Sequence, residues 1–457
     1  MIHISRWKSF FIIEGILLII LLGLILLKSF NSNEYIIFLS IFILFSIITI
    51  PYFRIRKSEE LMSPIIIVTS VNLLYFVIAT ISMILEGNTY VYGKYIKELI
   101  VKGNIYLSIS FIFLYIGYFF TGNCKTKIKI KMTNDKIRRY ILVSSGVLFG
   151  CFLLFIITNN LSLISFITLK NVNLNYDEIL ANSSPLNNYF WLSIISLIIS
   201  PILMYEYSKK NKIKKITIII IYILIFMINV SFGYRYRLMI MLIAPFFYFK
   251  LKNQKGISLR EIIPIILIMF IVVGFVGSNR NSIKSGSGLT ETSLADVSKS
   301  FSDNLEVNKA FYAMMDSFNS LNDYYYGETY AYLLIQPIPR NIWNNKPYPK
   351  IGEILTKITG NEYAAKSGFA YPMYGEIYAN FGLIGMCIIM YLFGYILKKI
   401  WMFVINNRKN YIILATYSIF APYLLQVISR GYMVQTIQEI IFLLIIPIIL
   451  LIANKFK

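Results

Sequence analysis

An all-α polytopic membrane protein with about 12 transmembrane helices, both termini inside and one large extracytoplasmic loop, is the fold class that this 457-residue sequence predicts. Three observations predict it. Hydrophobic residues make up 57% of the chain and charged ones only 14%, little more than half the share in an ordinary soluble protein. Runs of roughly 18 mostly apolar residues recur from end to end, each long enough to cross the ~30 Å hydrocarbon core as a helix. Connecting segments alternate between rich and poor in lysine and arginine, as the positive-inside rule requires.

The apolar runs centre on residues 10–27, 35–52, 61–84, 105–121, 140–158, 189–205, 216–231, 235–250, 262–277, 377–397, 411–428 and 435–453. The first, Phe10 to Leu27, is longer than a signal-peptide core and no small-residue cleavage site follows it, so it reads as a retained span. With the N-terminus inside, well over half of the 44 lysines and arginines fall in cytoplasmic segments, which explains the net charge of +22 without nucleic acid. The richest are CKTKIKIKMTNDKIRR (Cys124 to Arg139) and KKNKIKK (Lys209 to Lys215). Cys151 and Cys387 lie in apolar runs and Cys124 beside a basic loop, which argues against a disulfide framework. The single histidine, His3, sits in the N-terminal tail, so chemistry that needs a histidine in or outside the membrane is excluded. No metal-ligand cluster is visible, and neither a metal nor a cofactor is expected.

The whole chain, 1–457, reads as one integral membrane domain, with residues 278–375 as an external loop between spans nine and ten. That loop is far longer than a simple connection, and such loops usually carry function. From Leu294 to Leu321 apolar residues recur at helical spacing, which predicts a helix lying on the outer surface. The tyrosines of DYYYGETYAY (Asp323 to Tyr332) follow, then the strip PIPRNIWNNKPYPK (Pro337 to Lys350). Its four prolines deny helix formation and stiffen the segment. Arg340 presents a donor fork suited to phosphate oxygens and Lys346 a point charge. Trp343, Tyr325 and Tyr330 offer apolar faces for sugar rings. The bland alternative is a proline-rich clamp that ties the loop down.

More charges gather on the same side. FGYRYRLM puts Arg235 and Arg237 at the outer start of span eight, and Arg237 to Lys250 measures only about 20 Å of helix, short of a full crossing. A guanidinium below the boundary is costly unless it faces a polar cavity or an anion; snorkelling to head groups is the alternative. Two residues apart, the pair would not share a helix face. Arg280 follows span nine in GSNRNS, and Arg430 sits in the short ISRGYM turn, where Gly431 allows close backbone approach. Glu376 opens span ten in YGEIYANFGLIG, as a helix-terminal carboxylate favoured by the dipole or as a proton acceptor. Glu439 and Asp323 are the rival carboxylates. Cations beside aromatics above a lipid-embedded bundle suit a lipid that carries a phosphate or pyrophosphate and a sugar chain.

The order YGETYAYLLIQPIPRNIWNNKP, then GEIYANFGLIG, with FGYRYRLM before and SRG near the end, resembles the Wzy-type O-antigen and capsule polymerases, the oligosaccharide repeat-unit polymerases. The likeness covers most of the chain in layout and those four stretches in motif. The resemblance implies a membrane glycosyltransferase of GT-C-like architecture in the bacterial inner membrane, with its active site facing outward. A growing glycan on undecaprenyl pyrophosphate would pass to the terminal sugar of an incoming lipid-linked repeat unit, without nucleotide or metal. Lipid-linked oligosaccharides and membrane lipids are the implied partners, and a chain-length regulator is a candidate one. In that scheme Arg235, Arg237, Arg340 and Arg430 meet the pyrophosphate with Lys346 and Arg280 in support, and Arg237 and Glu376 are the catalytic candidates. O-antigen ligases share the layout but look to a loop histidine, which is missing here. A flippase for the same lipid would keep short loops and charges in a central cavity. Transferases that use polyprenyl phosphate sugars place an acidic pair in the first external loop, where this chain has only Glu34.

Overall fold

The computed structural model describes residues 32–55, 58–122, 215–231, 235–280, 289–305, 307–336, 342–347, 350–361 and 371–453, with isolated positions between them. The expected spans at 10–27, 140–158 and 189–205 lie outside the described residues, isolated positions apart, as do the basic segment 124–139 and most of 209–215. Arg340, Pro337, Pro339 and Pro349 lie outside them too. Every other expected run is helical. In chain order these helices are α1 (Ser32–Phe53), α2 (Pro64–Leu85), α3 (Lys97–Phe119), α4 (Lys215–Ser231), α5 (Arg235–Lys252) and α6 (Leu259–Ser278). The region between α6 and α11 contributes α7 (Leu294–Leu305), α8 (Val307–Ser317), α9 (Glu328–Ile335) and α10 (Ile351–Thr359). The chain ends with α11 (Met373–Asn406), α12 (Tyr411–Ser429) and α13 (Met433–Ala453). One two-residue hairpin, β1 (Tyr90–Val91) with β2 (Lys94–Tyr95), is the sheet among the described residues. Six of the described helices are long and apolar enough to cross a membrane: α1, α2, α3, α6, α11 and α12.

The chain divides into two compact units. One comprises residues 1–124, 305–402 and 424–436; the other comprises 125–304, 403–423 and 437–457.

In the first unit α1 lies along α3, and α3 meets α11 backbone to backbone. A Cβ on Gly117 would stand 2.0 Å from the Tyr391 carbonyl oxygen, and one on Gly394 would stand 2.1 Å from that of Leu114. Small residues at a crossing are how apolar helices gain contact in a medium as apolar as themselves. The expected surface helix from Leu294 to Leu321 is instead two helices, and α8 is buried in this unit. Phe311, Met314 and Met315 are fully covered, each contributing about 1.5–3 kcal/mol by burial. Neighbours bond much of the polar side of α8. The Tyr312 hydroxyl meets Thr80 of α2 at 3.0 Å and donates to Asn104 of α3 at 2.8 Å; Asn104 donates to Ser40 of α1 at 3.0 Å, and Asn308 donates to Thr80 at 2.9 Å. An amphipathic pattern serves equally for a lipid surface and for an interior that supplies hydrogen bonds, and here it serves the second.

In the second unit α5 packs between α4 and α6. Val230, Leu238 and Val276 form a small core there, with Phe226, Val272 and Phe275 against it. The Tyr222 hydroxyl of α4 donates to the Met241 carbonyl of α5. A capping box, Ser258 with Glu261, starts α6.

Candidate functional site

The stretch GEIYANFGLIG does not open a continuous span. Gly382 has φ 61° and ψ −156°, a backbone region that is essentially glycine-only, so α11 is a short half-helix, Met373 to Phe381, followed by the long span. A helix that stops leaves its last carbonyls without partners, and a membrane protein must satisfy them internally. The tyrosine turn does so. Tyr325 N donates to the Ala379 carbonyl and Tyr326 N to that of Asn380, both at 3.0 Å, and Gly327 N donates to Asn380 Oδ1 at 3.0 Å. Asn380 Nδ2 donates to Thr329 Oγ1 and to the Glu376 carbonyl, both at 2.8 Å. The two conspicuous motifs of the loop region are thus one assembly. Tyr330 stacks on Phe381 with ring centroids 5.9 Å apart, and burial followed by the charge of Glu376 holds its phenol well above the ordinary range. Burial, then Glu353 and Glu328, pushes Tyr325 up to about 12. Both phenols are protonated at physiological pH.

Glu376 is completely buried, and its Oε2 accepts from the backbone N–H of Met433 at 2.7 Å, at the start of α13. The carboxylate therefore caps a helix other than its own. Its Oε1 has no hydrogen-bond partner among the described residues, although the Thr329 hydroxyl lies beside the carboxylate. Gly431 N donates to the Tyr371 carbonyl at 2.5 Å, and a Cβ on Gly431 would stand 2.5 Å from the Tyr371 ring and 2.6 Å from the Pro372 carbonyl oxygen. Close approach at Gly431 is the feature the sequence leads one to expect, and it leaves the exposed Arg430 at the outside of a clamped turn.

Lys346 is 8% exposed; its ammonium donates to the carbonyls of Gln336 and Ile338, both at 2.9 Å, and lies 5.5 Å from the Tyr332 ring centroid. It straps the strip to α9. Trp343 is exposed. Asp323 donates nothing to the rival-base reading: Oδ1 accepts from Lys357 at 2.7 Å, Oδ2 closes a capping box with Ser320, and these bonds, Lys357 first, hold its carboxyl at about 2. A carboxyl lowered in this way supports the fold above its ordinary value and ceases to do so as pH falls through about 2. Amide protection across Ser320–Tyr324 is therefore expected to stay constant from neutral pH to about 5, to fall towards about 2, and to be low throughout in Asp323→Asn, as hydrogen exchange can measure.

In the second unit the arginines of FGYRYRLM part company, as their spacing requires. Arg235 Nη1 and Nη2 reach the carbonyls of Ser300 and Gly277 at 3.4 and 3.3 Å. The side chain lines a hollow of about 360 Å³ with Thr290, Thr292, Asp296 and Lys299 among its walls. Asn279 accepts from Thr290 N at 2.7 Å and so ties the end of α6, just before the half-buried Arg280, to the start of the α7 segment. Arg237 turns the other way and is 2% exposed. Its Nε donates to the Tyr236 hydroxyl at 3.2 Å, Tyr236 donates to Glu439 Oε1 at 3.4 Å, and Tyr423 donates to Glu439 Oε2. Sequence reading named Arg237 and Glu439 separately; the phenols that connect them carry no local signal among 35 tyrosines.

An all-α, multi-pass membrane protein with arginine and glutamate held in its interior and an interrupted helix clasped by a tyrosine turn is the class defined so far. The family model of the O-antigen polysaccharide polymerase Wzy matches residues 10–457, nearly the whole chain. The chain belongs to that family, and with it to the enzymes that polymerise O-antigen repeat units. No curated protein and no solved structure matches it.

Proposed function

We propose that this polymerase elongates a surface polysaccharide on the outer leaflet of the bacterial cytoplasmic membrane. It transfers the growing glycan from undecaprenyl pyrophosphate to the terminal sugar of an incoming lipid-linked repeat unit. The acceptor hydroxyl attacks the anomeric carbon, the bond from that carbon to the pyrophosphate oxygen breaks, and the pair of electrons leaves with the lipid diphosphate, which takes up the hydroxyl proton directly or through water. Preorganised cations facing the departing charge are the main requirement of such a step. Arg237 meets that need in this reading, with Arg340 and Arg430 as further candidate ligands of the diphosphate and Trp343 and the tyrosine turn as candidate contacts for the glycan; Arg235 faces the other way, onto the carbonyls of Ser300 and Gly277. The twelve-span topology, with N- and C-termini inside and residues 278–375 outside, belongs to the same proposal.

The observation that carries it is Arg237. A guanidinium at the first turn of an apolar helix has an easy route to the head groups, yet this one is buried against Tyr236. Burying an arginine in a membrane protein is expensive and is characteristic of sites that handle charge.

The test is turnover by purified protein of a defined undecaprenyl-pyrophosphoryl repeat unit. The expected result is a ladder of longer glycans with release of undecaprenyl pyrophosphate, unchanged by EDTA because arginine does the work of a metal. Binding without elongation would remove the enzymatic reading, and loss of the ladder in EDTA would remove metal independence.

A further inference from the structure

We infer that Glu376 is a positioning residue: its carboxylate holds the Arg430 turn against the half-helix of α11, and it does not take the proton of the attacking hydroxyl. The inference rests on the reading of Arg430 as a diphosphate ligand, but its own geometry is local. The turn between α12 and α13 is fastened at four points. Arg430 N donates to the Gln426 carbonyl at 2.9 Å and Gly431 N to the Tyr371 carbonyl at 2.5 Å. The Thr436 hydroxyl donates to the Arg430 carbonyl at 3.4 Å, and Met433 N donates to Glu376 Oε2 at 2.7 Å. Only the last of these is made by a side chain from another helix that is itself fully buried. A carboxylate on the first free N–H groups of α13 also meets the positive end of that helix. Asn380, one turn further along, grips Gly327 in the same manner. The half-helix thus presents two side chains, each of which fixes one loop: Asn380 fixes the tyrosine turn and Glu376 the arginine turn. The oxygen that accepts from Met433 N is committed to the turn rather than to a substrate hydroxyl.

Glutamine separates the two roles. Its amide oxygen can accept from Met433 N as the carboxylate does, and its NH₂ falls beside the Thr329 hydroxyl, but it cannot accept a proton. Glu376→Gln should keep chain length within a few-fold of the wild type, with an unmoved pH profile. Glu376→Ala should raise KM for the lipid-linked repeat and shorten the chains, with turnover down at least ~10-fold, as expected when a ligand group is misplaced. Gly431→Ala should do the same with the carboxylate intact, because its Cβ drives the turn off Tyr371. Hydrogen exchange at Gly431–Val434 should rise in both alanine variants and not in the glutamine one. A glutamine variant as inactive as the alanine one, or unchanged exchange in Glu376→Ala, would overturn the inference. Membrane levels are read in each case; if Glu376→Ala fails to insert, the contrast between Glu376→Gln and Gly431→Ala decides. Arg430→Ala is the separate arm: long chains from that variant would remove the diphosphate role of Arg430 and leave the exchange result standing.

Discussion

Arg237→Ala is expected to reduce the surface polysaccharide to single repeat units on a gel ladder, a loss of elongation of ~100-fold or more. The guanidinium is 2% exposed, so whatever charge it faces is felt with little screening by water or salt. Its surroundings also say how the experiment must be controlled. Arg237 leads through the Tyr236 hydroxyl to Glu439, whose second oxygen accepts from Tyr423. Removing the cation leaves a buried carboxylate, 3% exposed, without the positive charge that reaches it through Tyr236, which destabilises the fold. Part of any loss in Arg237→Ala would then be loss of protein. The double variant Arg237→Ala/Glu439→Gln removes both charges; it should recover most of the Tm in detergent and none of the chain length. Arg237→Lys keeps the charge but not the planar fork and should fall between the two. Long chains from the stable double variant would remove Arg237 from the chemistry.

Gly382→Ala should be nearly as damaging by a different route. The backbone at Gly382 lies where a residue with a Cβ costs of order 1–3 kcal/mol by conformation alone. That Cβ would also stand 2.8 Å from the Tyr324 hydroxyl and 3.0 Å from the ring carbon that bears it. Relief means either straightening α11 or pushing the tyrosine turn away, and both abandon the bonds from Tyr325 and Tyr326 to the carbonyls of Ala379 and Asn380. A lowered Tm and faster cleavage by protease near residues 324–327, together with shortened polysaccharide, are the expected results. Gly122→Ala is the matched control, since a Cβ there meets nothing within 4 Å. If Gly382→Ala behaves like that control, the break in α11 has no bearing on stability or function.

How much of this was legible beforehand depends on the range of the interaction concerned. The helices at 35–52, 216–231, 411–428 and 435–453 are found within a few residues of where hydropathy puts them, because a long apolar run announces itself by composition alone. The opposite facing of Arg235 and Arg237 and the tight packing at Gly431 follow from spacing and from the absence of a side chain, which are local properties. The break at Gly382 was hidden because an average over a span cannot register one backbone angle flanked by apolar residues on both sides. A signal was present, in the polar Asn380 one turn after Glu376 followed by Phe-Gly, but it reads equally as an ordinary glycine in a membrane helix. Lys346 illustrates the reverse: a lysine among prolines looks like a ligand for anions, and two carbonyls less than a dozen residues upstream take its ammonium.

By itself, then, the sequence determined that this is a helical, membrane-spanning chain with an excess of basic residues, and its motifs pointed to the polymerase family. Hydropathy, helical period and short motifs are written in neighbouring residues, so no coordinates are needed to see them. Only the tertiary structure decided that Glu376 caps the start of α13, that Asn380 clasps the tyrosine turn, and that α8 lies inside rather than on a surface. Those outcomes depend on which donor meets which acceptor across separations such as the 57 residues from Glu376 to Met433, and no local pattern specifies such a partner.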